Sequence, residues 1–507
     1  MAERTVLKFT NPASGEVFGS VPTASSEGTK QAVSDLKSAQ KAWGRKSVSE
    51  RVRILRKFQA VIVDSMDEIS NVIGQDTGKN RQDVLIEIFT TLDQLNINLK
   101  YAKSWLRKVR VPRGYLFFQR LYSEPRPLGC VAVIAPWNYP FVLSVPPVLA
   151  ALLAGNTVVL KPSEVSAATG VLIESLFERV PELASIVRVL HGDGSVGAAI
   201  IQNRPDFIFL TGSTDTGKAI MKAASEHLIP LTCELGGKDA MIVLEDADLE
   251  SAARWGVWGS FFNAGQVCMS IERVYVMETV FDQFLEKIVS ETRKLNQGYS
   301  QRQDSPYHCG PLTDPKQLQI IQRQLQDARD KGAELLLGGT HQGLFFEPTL
   351  LTGVDHSMLI MQEETFGPIL PIVKVKDEAE AIQLTNDSQY GLSAYIWTSD
   401  LRRARRLAQE IQTGSVVVND TMVQFGAPLL PFGGIKASGF GRIHGKQGLL
   451  QFTQAFAYVE GKPPMKYDLA AIVRTPGRYK FIAVLIGLIF GVTFRQKVGV
   501  VLNRLLH

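Results

Sequence analysis

The sequence has 507 residues, of which 45% are hydrophobic and 21% are charged, as is ordinary for a globular protein. Because a single hydrophobic core stops growing near ~250–300 residues, this length predicts more than one domain. The net charge of +5 is modest and no nucleic-acid-binding motif accompanies it, so we expect no nucleic-acid partner.

Cysteine usage and the N-terminal sequence indicate a cytoplasmic protein. The stretch MAERTVLKFTNPASGE lacks the apolar segment of a signal peptide. A chain with ample material for a core needs no disulfides, and its few cysteines fit a reducing compartment. The cysteines lie far apart, without a C-x-x-C pair or a Cys/His cluster, and therefore predict no metal site: Cys130, Cys233, Cys268 and Cys309.

Residues 26–108 are predicted to be helical. The stretches SEGTKQAVSDLKSAQKAW and SERVRILRKFQAVIVDSMDEI repeat apolar residues at helical spacing. A serine precedes each stretch and is a candidate N-cap.

From Cys130 onward, short β-branched runs alternate with helical stretches. CVAVIAPW, NTVVLKP, FIFLTG and DAMIVLE predict buried strands of one parallel sheet, with VPPVLAALLAG and ATGVLIESLFERV as helices between them. A second series follows Glu234, with SIERVYVM, PILPIVKV, SAYIWT and GSVVVN as strands and with DLRRARRLAQEI and the stretch 316–331 as helices. Such alternation predicts two doubly wound α/β domains with a cleft between them.

The C-terminal tail differs in composition. Residues 481–494, FIAVLIGLIFGVTF, carry no charge. As one helix they would span ~21 Å, less than the ~30 Å of membrane hydrocarbon. Basic flanks that snorkel would extend this run and favour an anionic leaflet, so we expect membrane association rather than a helix buried in its own domain or in an oligomer. The flanking basic residues are Arg474, Arg478, Lys480, Arg495 and Lys497.

The stretch FIFLTGSTDTGKAI leads from a strand into a helix that begins near Thr214 or Asp215. A helix N-terminus after Ser213 suits a phosphate, and Gly212 and Gly217 permit close backbone approach. The spacing is not the G-x-G-x-x-G fingerprint of common dinucleotide sites. Strand-to-helix turns also need glycine for steric reasons, and on this stretch alone we favour that structural explanation.

Two polar segments follow predicted strands. Lys161 and Glu164 of NTVVLKPSE come just after a strand, where open α/β sheets bind ligands, and both could hold ribose hydroxyls. A solvated loop explains them equally well. Asn138 of APWNYPF could donate to an oxyanion from a rigid apolar wall, or it could satisfy a turn.

Glu234 and Cys268 are candidates for the chemistry itself. Glu234 of LTCELGGK has apolar neighbours, which would raise the pKa of its carboxyl and suit a general base better than a surface loop. Cys268 of FFNAGQVCMS is a candidate nucleophile, since a thiolate is effective near neutral pH. Taken alone, a buried and inert cysteine is a strong alternative.

Together, seven motifs resemble the aldehyde dehydrogenase superfamily over the region from about Phe9 to Val459. In the order in which they occur, they are APWNYPF, KPSE, TGSTDTG, ELGGK, GQVC, EETFGPI and PFGGIKASGFGR. Each motif alone is weak or moderate, whereas seven in family order form a specific pattern.

The resemblance implies a role for each motif. Cys268 would attack an aldehyde, and Asn138 with the Cys268 backbone N–H would hold the oxyanion of the thiohemiacetal. Glu234 would activate water to hydrolyse the thioester left after hydride transfer to the nicotinamide. Glu164 would bind ribose hydroxyls and repel a 2′-phosphate, so NAD is expected, with NADP as the alternative. The residues that match cofactor positions are Trp137, Lys161, Ser163, Glu164, Gly212, Ser213, Gly217, Glu364 and Phe366.

The resemblance also implies a domain plan and a homodimer or homotetramer. The expected parts are an NAD(P)-binding domain (1–108 and 128–236), a catalytic domain (237–445), an oligomerisation element (109–127 and 446–462) and the tail (463–507).

The resemblance implies that part of the aromatic stretch before Cys268 lines a substrate tunnel, with Met269 next to the thiol and Phe425 in a later loop. At least half of these aromatic residues are expected in the core instead: Trp255, Trp258, Phe261 and Phe262. Because family members with hydrophobic C-terminal anchors oxidise fatty aldehydes, a medium- or long-chain aliphatic aldehyde is the expected substrate. The alternatives are a CoA-acylating relative, disfavoured because such relatives lack the glutamate matching Glu234, and a catalytically silent binding protein on the same fold.

Overall fold

The computed structural model describes residues 5–114, 119–461 and 474–505. Contacts divide the chain into two units. The first comprises Met1–Arg107 and Pro125–Ala455, and the second comprises Lys108–Glu124 and Phe456–His507.

Helices fill the N-terminal region and then alternate with strands. Their bounds are Ser26–Gly44 (α1), Val48–Asp64 (α2), Met66–Thr77 (α3), Arg81–Trp105 (α4), Val145–Ala154 (α5), Ala167–Glu178 (α6), Pro181–Ala184 (α7), Gly194–Gln202 (α8), Thr214–Ser225 (α9), Leu249–Phe261 (α10), Phe281–Thr292 (α11), Pro315–Asp330 (α12), Leu359–Gln362 (α13), Glu378–Asn386 (α14), Leu401–Glu410 (α15), Gly445–Leu450 (α16), Tyr479–Phe490 (α17) and Phe494–Leu505 (α18). Short 3-10 turns cover Glu164–Ser166, Phe262–Gly265, Glu278–Val280 and Lys436–Ser438.

The strands form two large sheets and three small ones. Their bounds are Val6–Thr10 (β1), Val17–Pro22 (β2), Val109–Val111 (β3), Gln119–Pro127 (β4), Cys130–Ile134 (β5), Thr157–Lys161 (β6), Val187–Val189 (β7), Phe207–Thr211 (β8), Leu231–Glu234 (β9), Asp239–Val243 (β10), Ile271–Met277 (β11), Glu334–Leu337 (β12), His341–Gln342 (β13), Phe345–Phe346 (β14), Thr349–Thr352 (β15), Ile369–Val375 (β16), Ser393–Trp397 (β17), Ser415–Val418 (β18), Gly439–Phe440 (β19) and Thr453–Gly461 (β20).

The six-stranded sheet of the first unit has the order β19-β9-β8-β5-β6-β7. It is parallel except for β19, which pairs antiparallel with β9. β5 and β6 are buried along their whole length, as expected for strands covered on both faces. The carboxyl ends of four neighbouring strands therefore meet at one edge, at Ile134, Lys161, Thr211 and Glu234.

The seven-stranded sheet, also in the first unit, has the order β12-β15-β16-β11-β10-β17-β18. It is parallel except for β12. All eight predicted strands form, but the assignment of DAMIV to the first sheet is wrong, because β10 pairs with β11 and β17. An apolar strand does not specify its partner by composition. Here the chain crosses between sheets through Gly236 and Gly237.

Residues 26–105 form helices, as predicted. Ser25 Oγ accepts a hydrogen bond from Gly28 N (3.0 Å) at the start of α1, and Ser47 forms a capping box with Glu50 at the start of α2. The stretch predicted as one helix through SMDEI is two helices instead, because Ser65 between α2 and α3 has non-helical angles (φ −104°, ψ 11°).

The second unit contains a three-stranded sheet of order β20-β4-β3 and the two C-terminal helices. The composition of the uncharged run 481–494 predicted one helix, but the structure divides this run between two helices. α17 ends at Phe490, and α18 begins at Phe494 and packs back on α17, where Gly487 contacts Val500. Within the described residues, every helix is too short or too polar to cross a membrane.

Candidate active site

Predicted functional residues meet in a cavity of about 220 Å³ at the carboxyl edge of the six-stranded sheet. The thiol of Cys268, the carboxyl of Glu234 and the amide of Asn138 all line it. Asn138 and Glu234 lie at the carboxyl ends of strands of this sheet, where α/β sheets bind ligands, whereas Cys268 and Glu364 reach the cavity from segments that precede β11 and β16 of the seven-stranded sheet. The predicted cofactor residues that also line it are Trp137, Gly212, Ser213, Glu364 and Phe366.

A left-handed turn after α10 presents Cys268. Asn263, Ala264 and Gly265 have φ angles of 52°, 54° and 72°, and such angles cost a non-glycine residue of order 1–3 kcal/mol. Gln266 holds this turn, because its Nε2 donates to Asn263 O (3.0 Å) while Asn263 Nδ2 donates to Gln266 O (3.2 Å). A Cβ on Gly265 would overlap the backbone carbonyl of Gly367. The GQVC motif is therefore needed for the turn as well as for the thiol.

The surroundings of Cys268 favour the thiol over the thiolate. Burial raises its pKa, and the carboxyls of Asp239, Glu364 and Glu234 raise it further, against a hydrogen bond from the Met269 backbone N–H. The thiolate therefore forms only when the proton leaves to water or a base in the cavity, since the thiolate is the nucleophile.

Glu234 is a buried carboxyl at the last position of β9, between Thr211 of β8 and Gly439 of β19. It is 5% exposed, and neither carboxyl oxygen has a hydrogen-bond partner among the described residues. Burial raises its pKa well above the usual range, and the charge of Arg442 opposes this shift. A Cβ on Gly433 would lie 2.7 Å from Glu234 Oε1, so the PFGG motif leaves room for the carboxyl. A carboxyl with these properties suits a general base.

The amide of Asn138 lies against the turn that presents the thiol. Its Nδ2 donates to Gln266 O (3.1 Å), and Asn263 Nδ2 donates to Asn138 O (3.5 Å). Asn138 is buried in the wall of the cavity. A buried amide donor held beside a nucleophile can stabilise an oxyanion.

Glu364 and Phe366 form the opposite wall of the cavity. Glu364 Oε1 accepts a hydrogen bond from Gly237 N (3.0 Å), and a Cβ on Gly236 would overlap the Glu364 carboxyl. The ring of Phe366 meets Trp137 edge-on, with centroids 5.5 Å apart. The ELGG glycines therefore let a carboxyl approach the backbone behind Cys268.

The remaining cofactor candidates occupy the same sheet edge. Lys161 Nζ donates to Glu164 Oε2 (3.1 Å), and Ser163 Oγ accepts from Val165 N (3.2 Å) in the loop after β6. Ser213 caps α9, which begins at Thr214 as predicted, because Ser213 Oγ accepts a hydrogen bond from Thr216 N (3.2 Å).

Gly217 does not line the cavity, because it packs under Leu235, where a Cβ would lie 2.8 Å from that side chain. The cavity and its edge combine a helix N-terminus, the three carboxyls of Glu164, Glu234 and Glu364, and aromatic walls. These groups fit a dinucleotide, because its phosphates can bind at a helix N-terminus and its ribose hydroxyls can donate hydrogen bonds to carboxylates.

A buried polar network that the sequence analysis missed supports the Phe366 wall. Lys238 Nζ donates to Glu272 Oε2 (2.7 Å) and to Thr365 Oγ1 (2.8 Å). Glu272 also accepts hydrogen bonds from the backbone N–H groups of Thr365 (2.7 Å) and Phe366 (2.8 Å). The sequence feature that could have indicated this network is Glu272, a charged residue within the otherwise mostly apolar strand IERVYVM.

A second cavity of about 150 Å³ reaches Cys268 between α4 and α10. Its aromatic and sulfur-containing lining residues are Tyr139, Trp258, Phe262, Met269, Met422 and Phe425. Phe261 is fully buried, and Trp255 supports Trp258 edge-on (5.6 Å), so half of the predicted aromatic residues are structural, as expected. Glu87 is the one charged residue in this wall, and no Lys or Arg lines it.

Comparisons with known proteins agree with this arrangement. Residues 1–457 match the model of the "Aldehyde dehydrogenase family". The chain is 41% identical over 452 residues to the 4,4'-diapolycopene aldehyde oxidase of Methylomonas sp, covering 89% of this chain and 84% of that protein.

Two solved structures have closely similar folds. One is the NADP-dependent glyceraldehyde-3-phosphate dehydrogenase from Bacillus halodurans C-125 complexed with NADP (TM-score 0.85, 34% identity, 90% of this chain and 96% of that one). Another is the NAD-dependent aldehyde dehydrogenase from Sinorhizobium meliloti (TM-score 0.86, 30% identity, 92% and 93%). The chain therefore belongs to the aldehyde dehydrogenase family, a class of oxidoreductases that act on the aldehyde group.

Proposed function

We propose that this protein oxidises an aldehyde to a carboxylic acid through a covalent intermediate on Cys268, and that Glu234 activates the water that releases the product. The observation that carries the proposal is the carboxyl of Glu234. It is buried without a hydrogen-bond partner among the described residues, in the same cavity as the thiol of Cys268 and the amide of Asn138. The variants treated in the Discussion test each role separately.

Each group has one task in this mechanism. The Cys268 thiol loses its proton to water in the cavity, its Sγ bonds to the carbonyl carbon as the C=O π bond breaks, and the oxygen becomes an oxyanion that Asn138 Nδ2 and the Cys268 backbone N–H stabilise. A nicotinamide held beside Glu364 and Phe366 would supply the acceptor for the hydride that the carbonyl carbon loses, which would leave a thioester on Cys268. Glu234 then takes a proton from water as its oxygen attacks the thioester, and the Cys268 thiolate leaves as the acid forms.

NAD is the proposed cofactor, with NADP as the alternative. Glu164 supports NAD because a carboxylate at the sheet edge accepts hydrogen bonds from ribose hydroxyls and repels a 2′-phosphate. We expect Glu164→Gln to shift the NAD-to-NADP ratio of kcat/KM about tenfold toward NADP. Steady-state kinetics with both cofactors measures the shift, and Glu178→Gln on the exposed end of α6 is the control. An unchanged ratio would remove Glu164 from cofactor selection.

The proposed substrate is an apolar aldehyde, with medium- or long-chain aliphatic aldehydes as the leading class. The cavity between α4 and α10 has an aromatic wall, and no Lys or Arg lines it. A substrate carboxylate would be buried there unpaired, so an ω-carboxylate aldehyde should have a kcat/KM at least ~10²-fold below its apolar analogue of equal length. Comparable kcat/KM values for the two would contradict this substrate class.

The C-terminal helices are proposed to lie on an anionic membrane surface. They expose Phe490 (66%) and Phe494 (83%), and residues 474–505 contain no Asp or Glu. An apolar surface flanked by cations binds in the plane of the headgroups without spanning the bilayer. We expect the intact chain to sediment with phosphatidylserine vesicles, and deletion of residues 474–507 to abolish this. Intact chain that stays in the supernatant would contradict the proposal, and neutral vesicles are the control.

The homo-oligomer and its element at 109–127 and 446–462 stay predictions. The exposed apolar residues Val109, Val111 and Val459 of the three-stranded sheet support them.

A further inference from the structure

A fully buried ion pair lies beside the loop that carries Asn138. Lys79 Nζ is 2.9 Å from Glu87 Oε2, and the side chains are 1% and 0% exposed. Lys79 precedes α4, and Glu87 lies on its second turn. Because desolvation offsets most of the attraction in such a pair, stability alone explains it poorly. Its contacts with the neighbouring loop indicate another role.

The pair holds the loop at two points just after Asn138. Glu87 Oε1 accepts hydrogen bonds from the backbone N–H groups of Phe141 (2.8 Å) and Val142 (3.0 Å). Lys79 Nζ lies 3.7 Å from the ring centroid of Tyr139. One carboxylate therefore receives three hydrogen bonds, each strengthened by its charge, and the cation contacts the residue next to Asn138.

The loop sequence leaves few other anchors. Pro136 and Pro140 have no N–H to donate. On either side of Asn138 the backbone is therefore anchored by carbonyls, with Asn263 Nδ2 donating to Asn138 O (3.5 Å) and Leu143 N to Tyr139 O (3.0 Å), and by the amides that donate to Glu87. The side chain of Asn138 makes one short hydrogen bond, from Nδ2 to Gln266 O (3.1 Å), and that donor is the group needed by an oxyanion.

We propose that Glu87, locked by Lys79, is a positioning residue that sets the location of the Asn138 amide in the oxyanion site. This inference rests on the proposed function, because it concerns the oxyanion of the same reaction. Displacement of a catalytic group by ~1 Å can lower the rate ~10²-fold, so loss of the two backbone anchors should appear in kcat.

Two double variants isolate the acceptor oxygen of Glu87, and because both lack Lys79, the buried carboxyl of Asp83 beside it is affected equally in the two. Lys79→Met with Glu87→Gln keeps an amide oxygen for Phe141 N and Val142 N, and kcat should stay within about fivefold of the wild type. Lys79→Met with Glu87→Met removes the acceptor at similar volume, and kcat should fall ~10²-fold while the Kd of NAD stays unchanged. Equal kcat values for these two variants would overturn the proposal.

A cycle with Asn138→Ala then separates positioning from general destabilisation. If Glu87 acts through Asn138, the ~10²-fold effect should vanish in the Asn138→Ala background. If the fold-changes in kcat caused by the Glu87 variant and by Asn138→Ala multiply in the combined variant, the proposal is overturned. The control is Asn156→Ala, directly before β6 at the amino ends of the strands, where Asn156 Nδ2 donates to Ala151 O and Phe452 O (both 2.9 Å). This variant should lower Tm. Any fold-change that it causes in kcat should be the same in the wild-type and Asn138→Ala backgrounds. A wild type inactive toward every aldehyde would instead refute the proposed function.

Discussion

Replacement of Cys268 by alanine is expected to lower kcat/KM for aldehyde oxidation by ~10⁴-fold or more, because it removes the atom that bonds to the carbonyl carbon. The amide of Asn138 and the carboxyl of Glu234 would remain, but without a covalent adduct they have no oxyanion and no thioester to act upon. NADH absorbance with an apolar aldehyde measures the loss, and an unchanged Tm would show that the fold is intact.

The chain offers matched controls for this substitution. Cys309 is fully buried, burial raises the pKa of its thiol to about 12, and its Sγ donates a hydrogen bond to Phe261 O (3.4 Å) behind the nucleophile turn. Cys309→Ala should therefore lower stability while it leaves most of the activity. Full NADH production by Cys268→Ala would remove the covalent mechanism, and the same loss from both variants would assign it to folding.

Replacement of Glu234 by glutamine is expected to separate the two halves of the reaction. The first turnover should proceed, because Cys268 and Asn138 are retained, whereas hydrolysis of the thioester should slow ~10³-fold without a base. Rapid mixing should show a burst of about one NADH per active site, followed by a slow steady rate. Glutamine has nearly the same volume, so the cavity should keep its shape.

The pH dependence supplies the control for this second variant. Burial raises the pKa of Glu234 well above its usual range, so the carboxylate that acts as the base forms at higher pH than it does for an exposed glutamate. Hydrolysis by the wild type should therefore accelerate by up to about tenfold per pH unit below that pKa, and Glu234→Gln should lose this acceleration. Unimpaired steady turnover by Glu234→Gln would remove Glu234 from the mechanism.

Acid formation by the wild type without added CoA would exclude the CoA-acylating alternative.

The sequence motifs named residues that the structure brings together around one cavity, whereas local patterns were less informative about strand pairing. One cavity is lined by Asn138 and Glu234 from the six-stranded sheet and by Cys268, Glu364 and Phe366 from segments before β11 and β16 of the seven-stranded sheet. Strand composition was also sufficient to locate the central strands, because short continuous runs of β-branched apolar residues are typical of strands covered on both faces.

Pairing and backbone breaks were less predictable. The run DAMIV joined the other sheet because two glycines after Glu234 carry the chain across, and apolar composition does not encode a partner. α2 and α3 are separate because of one residue, Ser65. In the tail, Gly487 lets α18 pack closely on α17, which an uncharged run does not reveal.

Buried charges were the hardest residues to interpret from sequence. Lys238 and Glu272 interact across 34 positions of sequence, and Glu87 contacts a loop 54 residues away. Each would be placed on a solvated surface by composition, because a lone charge is rarely buried. Only the fold supplies the partner that makes burial favourable.

The most direct test of the proposed mechanism is the mass of Glu234→Gln protein after reaction with NAD and an apolar aldehyde. We predict one added acyl group, mapped by peptide digestion to Cys268 and absent when Cys268→Ala is combined with Glu234→Gln. An unmodified Cys268 in protein that has formed one equivalent of NADH, or an acyl group on another residue, would contradict a thioester at this cysteine.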